Sequence, residues 1–402
     1  MPRLPNILWV VTTQWRAAAC GYAGDLNART PHLDALAAES VNYAQAVTPH
    51  PFGPFARAAL LTGVASPENG VRDYFDPLPT NAHTIAHALR TRGYATAFFG
   101  KWHLGKRDPA APLVGEAHAK TLVPSEARGG FGFWEGFESG FLLNDPWLHG
   151  SRLGKPKKIF GYQSDVVAER AAGWMAECGS QRTANWFCVV SIEAPHPPYD
   201  APAAGIAARA PQELILTANV PLGGAAEMQA RRELSGYYAH VEATDRAIGR
   251  LLADVNRCET IVVFTSVHGD MHGAHGLFRK GWPHEESVRV PLLVRTPGEA
   301  PQRTEEAISL VELPALTMAA IDDGKFKNKA PFSRISMPSV VALPHQCDRL
   351  WRGVRTRTRK LVLNADGSPW LFFDLESDPL EMTNLAAEPA HTGEIARLLP
   401  HV

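Results

Sequence analysis

The sequence predicts an α/β fold: a mixed, mostly parallel sheet sandwiched by helices, followed by a small antiparallel subdomain. Three observations predict it. Continuous apolar runs rich in β-branched residues, Ile7–Val11, Trp186–Ile192 and Thr260–Thr265, have the pattern of strands buried on both faces. Between the last two, apolar residues at Leu234, Tyr237, Tyr238, Val241, Ile248, Leu251, Leu252 and Val255 repeat at the spacing of one long amphipathic helix. Late in the chain the pattern changes to short alternating runs, Leu350–Leu363 and Trp370–Leu375, bounded by the turn signals Asn364-Ala-Asp-Gly-Ser-Pro and Glu376-Ser-Asp-Pro. The expected division is an α/β domain over 1–342 and an antiparallel subdomain with a terminal helix over 343–402.

The elements follow in order. Ile7–Val11 is the first strand, and it ends in Thr12-Thr13-Gln14-Trp15-Arg16, where an open α/β sheet binds ligands. Thr30-Pro31 opens a helix as N-cap and first helical residue. Thr80 to Arg92 reads as a helix with Thr80 at its N-cap and Gly93 at its end. Tyr94–Phe99 is a strand leading to Gly100-Lys101-Trp102-His103-Leu104-Gly105. From Lys106 to about Lys158 the chain is rich in Gly and Pro without clear periodicity. It reads as an excursion over the ligand face, with Gly129–Gly136 and Asn144–Trp147 contributing to selectivity. A helix from Tyr162 to Ala176 follows. The strand Trp186–Ile192 then ends in Ala194-Pro-His196-Pro-Pro-Tyr199-Asp200.

Bulk properties narrow the function. Apolar residues make up 45% and charged residues 20% of the 402, ordinary values for a globular protein. A net charge of −1 argues against a general nucleic-acid or membrane-surface role. The five cysteines are scattered, odd in number and lack a C-x-x-C spacing, so reduced thiols are expected. No apolar run approaches transmembrane length, and the short run after Met1 does not resemble a signal segment; the expectation is a cytoplasmic protein.

Several motifs carry a family resemblance. Phe264-Thr-Ser-Val-His-Gly-Asp-Met-His-Gly-Ala-His-Gly-Leu-Phe-Arg-Lys280-Gly resembles T-S-D-H-G-x-x-x-G-D-H-G-x-x-x-K-G of the sulfatase family, within the alkaline phosphatase superfamily. Thr12-Thr13-Gln-Trp-Arg16 resembles its T-D-Q-W-R, Gly100 to Gly105 its G-K-W-H-L-G, and Pro195-His196-Pro-Pro-Tyr199 its P-H-x-P-Y. Arg57-Ala-Ala-Leu-Leu-Thr-Gly63 is similar to the right half of C/S-x-P-x-R-x-x-L-L-T-G, and Asp374 to Leu385 to the closing D-L-x-x-D-P-x-E-x-x-N-L. The resemblance spans the chain in the family's order and implies an alkaline-phosphatase-like fold.

It also implies a site. In the family the cysteine or serine becomes a formylglycine that attacks sulfur, and carboxylates hold a divalent cation, usually calcium. Here Gly53 stands at the nucleophile position, or Phe52 if one residue is inserted, and neither has a nucleophilic side chain. Thr13 and Val267 stand where two metal-ligand aspartates are expected, leaving Gln14 and His268 as a remnant metal set. Hard cations choose anionic oxygens, so no cofactor is expected, calcium included. The anion-contacting set implied by the family is complete: Arg57, Lys101, His103, His196 and Lys280. Cations buried without partners cost several kcal/mol each, and a small sulfate- or phosphate-type anion would offset that.

Three functional readings follow. One is a sulfatase-like protein that has lost nucleophile and metal and binds an anionic ligand without turnover. Another is a metal-independent enzyme on an anionic substrate, with His103, His196 and His268 as catalytic candidates. The third is sulfuric or phosphoric ester hydrolysis in keeping with the family. His272, His275 and His284 are expected to be solvated or supporting residues, and His50 could line the same cleft.

Overall fold

The computed structural model describes residues 4–181, 184–326, 331–341 and 343–402. Fourteen strands are found among them. β1 (Asn6–Thr12), β2 (Val41–Val47), β3 (Ala95–Lys101), β4 (Phe133–Phe137), β5 (Trp147–Gly150), β6 (Lys157–Lys158), β7 (Trp186–Ser191), β8 (Thr260–Ser266), β9 (Leu292–Arg295) and β10 (Gln302–Ser309) form one sheet in the order β10-β2-β9-β8-β1-β7-β3-β4-β5-β6. Its centre, β8-β1-β7-β3-β4, is parallel; β9 enters antiparallel to both β8 and β2, and β5 antiparallel to β4. β11 (Phe332–Met337), β12 (Trp351–Thr356), β13 (Arg359–Asn364) and β14 (Pro369–Asp374) form a separate antiparallel sheet in sequence order.

The apolar runs explain the central strands. Alternate residues go to opposite faces: Ile7, Trp9 and Val11 join one core, and Leu8 and Val10 the other. Phe187 and Val189 against Cys188 and Val190, and Ile261 and Val263 against Val262 and Phe264, repeat the division. Helices Gly53–Thr62, Ile85–Thr91 and Leu313–Asp323 cover the first face. Helices Pro31–Ala38, Gln163–Gln181 and Ala225–Ala253 cover the second. The long periodic segment is one continuous helix of 29 residues, as its spacing predicts.

Four expectations need correcting. Thr30 makes no cap bond, because its hydroxyl accepts from Gly21 N–H at 2.8 Å and donates to Asp34 at 2.9 Å. Asp245, on the long helix, takes the N–H groups of His32 and Leu33 instead, at 3.1 and 2.8 Å. The next helix starts at Ile85 with Thr84 and His87 in a capping box, not at Thr80, since 80–84 lack helical bonding. The segment after Lys106 is not all excursion: Phe133–Phe137, a strand too short and aromatic-rich to announce its period, pairs parallel with β3. The expected domain boundary falls at residue 342, outside the described residues, and β11 already belongs to the small sheet from Phe332.

Strand register positions the site. Val11 pairs with Ser191, Thr12 with Ser266 and Gly100 with Ser191, so the carboxyl ends of β1, β7, β8 and β3 finish side by side. Gly100 has φ +96°, and a Cβ there would lie 2.0 Å from the Ser191 carbonyl oxygen, so only glycine lets β3 approach β7 at this point.

Candidate functional site

The strand ends open into a cleft of about 400 Å³. Thr13, Gly53, Lys101, His103, His196, His268 and Lys280 all line it. Six of the nine predicted positions other than Gly53 therefore reach one space, together with that glycine at the head of a helix. Arg57 lies behind, donating to Thr13 Oγ1 at 2.7 Å, Ser191 Oγ at 2.6 Å and the Lys101 carbonyl at 3.1 Å. Gln14 is fully buried beneath Lys280, its Oε1 accepting from Lys280 Nζ at 2.5 Å. Val267 is part of the apolar core, and its side chain makes no polar contribution.

His50 does not line the cleft. Its Nε2 accepts from Ser66 N–H at 2.8 Å and its Nδ1 lies 3.2 Å from the Ser336 carbonyl, so it ties helix-flanking loops together. The walls contributed by the excursion are Leu113, Val114 and Phe141, not Gly129–Gly136 or Asn144–Trp147. Phe141 stacks on His196 with centroids 4.5 Å apart, and Lys101 Nζ stands 4.7 Å from the same ring.

Carboxylates missing from the sequence reading change the charge balance. Glu193 holds Lys101 Nζ at 2.6 Å, with both side chains at 1% exposure or less. Glu138 lies 3.4 Å from Arg107 Nε. Asp270 accepts from Tyr199 Oη at 2.6 Å, from His272 N–H at 3.0 Å and from Gln14 Nε2. The expectation of unpaired cations is thus corrected: Lys101 has its own counterion, and Arg57 is held by three neutral oxygens. Two of the three acids sit near a recognisable motif, Glu193 before Ala-Pro-His196 and Asp270 after His268-Gly. No spacing rule ties either to its partner.

Burial sets the electrostatics. It lowers Lys101 to about 8 although Glu193 opposes this, and lowers Arg57 to about 10. Burial and then the charge of Lys101 bring Lys280 down to about 7. His103, His196 and His268 are held well below the ordinary histidine range by burial, aided by Arg107 for the first and Lys280 for the other two. All three rings are therefore neutral at neutral pH, and their partners assign the tautomers.

Arg107 Nη1 donates to His103 Nε2 at 2.9 Å, which leaves Nδ1–H as a donor; Nδ1 is buried and has no protein partner. His196 Nδ1–H donates to the Pro197 carbonyl at 2.8 Å, and its Nε2 accepts from Lys280 at 2.9 Å. His268 Nδ1–H donates to the Gly269 carbonyl at 2.9 Å, leaving Nε2 as a buried acceptor without a partner. The cleft thus presents one free imidazole donor and one free imidazole acceptor.

The backbone is strained at the same place. Gln14 and His103 have φ of +70° and +59°, a conformation that costs non-glycine residues on the order of 1–3 kcal/mol. Gly53 begins helix Gly53–Thr62, whose N-cap, Phe52, offers no side-chain cap. Phe52 and Gly53 both line the cleft, so the free N–H end of that helix, a favourable place for an anion, faces it.

Fold and site together define an alkaline-phosphatase-like α/β protein with a histidine- and lysine-lined cleft at the strand ends. The chain matches the family model described as Sulfatase over residues 5–322. It is 33% identical to the ulvan-active sulfatase of Formosa agariphila, an alignment covering 96% of this chain and 78% of that protein. Among solved structures, BT4656, determined in complex with its substrate D-glucosamine-2-N,6-O-disulfate, superposes with a TM-score of 0.82 at 20% identity, covering 99% of this chain and 97% of the other. The phosphonate monoester hydrolase of Agrobacterium radiobacter superposes with a TM-score of 0.75 at 20% identity, covering 99% and 94%. The chain belongs to the sulfatase family. Membership supports a sulfate ester hydrolase-like function and an anionic ligand.

Proposed function

We propose that the cleft binds a small sulfate- or phosphate-type anion without the formylglycine reaction. The observation that carries this reading is at Gly53. Aligned on Arg57 it takes the place the family resemblance gives to the nucleophile, or its neighbour Phe52 does if one residue is inserted; it heads a buried helix, and a Cβ built there would lie 2.9 Å from His103 Nδ1. The space a nucleophilic side chain would enter is taken by imidazole.

The surroundings support the same reading. Calcium requires several anionic oxygens at one point. Thr13 Oγ1 is committed to Arg57 and to the Ile192 carbonyl, Val267 is apolar, and Gln14 Oε1 accepts from Lys280. Asp270 is the one carboxylate bonded to this group and is engaged three times over. These residues do not fit a hard dication. They do fit an anion: Lys280 Nζ, His103 Nδ1–H and the open N-terminus of the Gly53 helix are all positive or donating.

A second reading has its own observation. The unpartnered Nε2 of His268 is an acceptor lining the same cleft as the donor on His103, the two roles that general acid–base chemistry needs. It favours a metal-independent reaction on an anionic substrate that carries a transferable proton.

Thermal shift and an aryl ester assay test the proposal together. Sulfate and phosphate are expected to raise Tm, less so as sodium chloride is added. Protein incubated with p-nitrophenyl sulfate is expected to release no nitrophenolate, with or without calcium. Calcium-dependent release would overturn the reading.

A further inference from the structure

A second cavity of about 330 Å³ shares no lining residue with the cleft. It lies behind Trp15-Arg16, against the long helix and the loop 270–289. Its polar groups are poorly satisfied by the protein. Arg16 is 7% exposed, yet its guanidinium makes one hydrogen bond, to Tyr238 Oη at 3.3 Å, and its Nε has no partner. Glu286 accepts from Asn219 at 2.6 Å through Oε1, while its buried Oε2 has none. His272 is fully buried, and neither ring nitrogen is hydrogen-bonded. A buried guanidinium edge and a buried carboxylate oxygen left open in one cavity are costly unless something occupies it.

The charges identify the occupant's chemistry. Arg16 and Arg289 are the cations on the wall; Asp25, Glu285 and Glu286 are the anions. Glu285 is already paired, with Arg355 at 3.0 Å, Lys360 at 2.7 Å and Arg289 at 3.6 Å. Asp25 accepts from Tyr238 Oη and from Asn27 N–H at 2.9 Å, so Arg16 and Glu286 are the open cation and anion; a simple anion gains nothing overall, whereas a zwitterion is matched at both ends. The mouth is apolar. Leu26 and Ile215 line it and are 76% and 58% exposed, held together by reciprocal bonds between Asn27 and Ile215 of 2.9 and 3.0 Å.

We propose that this cavity binds a small zwitterion with an apolar side chain, an α-amino acid in type, its carboxylate on Arg16 and its ammonium on Glu286. The apolar side chain covers Leu26 and Ile215. The cavity is separate from the cleft, so the inference stands independently of the proposed anion binding.

Calorimetric titration of the full chain tests it with three probes of one shape. These are L-leucine, 4-methylpentanoate, which lacks the ammonium, and 3-methylbutylamine, which lacks the carboxylate. L-Leucine is expected to bind at one site per chain, with each truncated probe weaker by about tenfold or more. Arg16→Gln is expected to weaken leucine by about tenfold. Ala23→Trp, at an exposed position on the lining, fills the cavity without touching the core and abolishes binding. No binding of leucine to the natural chain, equal binding of 4-methylpentanoate, or binding unchanged by Ala23→Trp would overturn the proposal.

Discussion

Lys280 joins the two halves of the cleft's chemistry. Its Nζ donates to Gln14 and to His196, and burial with the nearby charge of Lys101 lowers it to about 7. The sign of its pH effect follows. A lysine held below its ordinary 10.5 binds fewer protons folded than unfolded between about 7 and 10.5, so its contribution to stability rises with pH across that window and is flat below it. A bound anion favours the charged amine and reverses the preference. The Tm increase produced by sulfate is therefore expected to be larger at pH 6 than at pH 8.5, and Lys280→Met is expected to remove most of the difference. A larger sulfate effect at the higher pH would count against Lys280 as an anion contact. The residue was legible in the sequence as the lysine that closes the loop motif from Phe264 to Gly281. Its depressed basicity was not, because that depends on burial and on a lysine far away in the chain.

Among elements, the first helix shows how a local signal is displaced. Thr30-Pro31 has the composition of a helix start, yet the free N–H groups are taken by Asp245 from the facing helix, at 2.8 and 3.1 Å. The Thr30 hydroxyl is already bonded to Gly21 and Asp34, whereas the Asp245 carboxylate has two oxygens and takes one N–H on each. Asp245→Ala is expected to destabilise the protein by about 1–2 kcal/mol, read as a lower urea midpoint at unchanged slope. An unaltered midpoint would mean that the helix end does not depend on this carboxylate. Periodicity located the long helix and the buried strands because burial of one face repeats along the chain. β4 escaped notice because five residues, most of them aromatic, carry no usable period.

At the scale of the whole molecule, the small sheet is fastened to the large one by buried charge. Lys360 on β13 is fully buried and lies 2.7 Å from Glu285 and 2.6 Å from Glu381, and it donates to the Pro283 carbonyl at 2.9 Å. Arg355 on β12 adds a contact to Glu285 at 3.0 Å. Glu285 and Pro283 belong to the loop that also carries His268 and Lys280, so the C-terminal sheet braces the cleft's own loop. Removing one member of such a set strands the others, at a cost of about 3–5 kcal/mol. Lys360→Met is expected to lower Tm by several degrees, to expose the C-terminal sheet to limited proteolysis, and to weaken sulfate binding. Intact proteolytic resistance and unchanged sulfate affinity would sink the idea that the brace matters.

By itself the sequence determined the family, the α/β class, the parallel centre of the sheet and six of the side chains that line the cleft, from Thr13 to Lys280. Those features live in local patterns: a period, a motif, a residue type at the end of an apolar run. Only the tertiary structure decided the charge balance. Lys101 and Glu193 are 92 positions apart, and Lys280 and Gln14 are 266. No spacing rule joins residues so distant; the meeting of four strand ends does. Glu193, Glu138 and Asp270 turned a pocket expected to hold unpaired cations into a nearly neutral one. What remains for an anion is the amine of Lys280, one imidazole N–H and the open end of a helix that begins at Gly53.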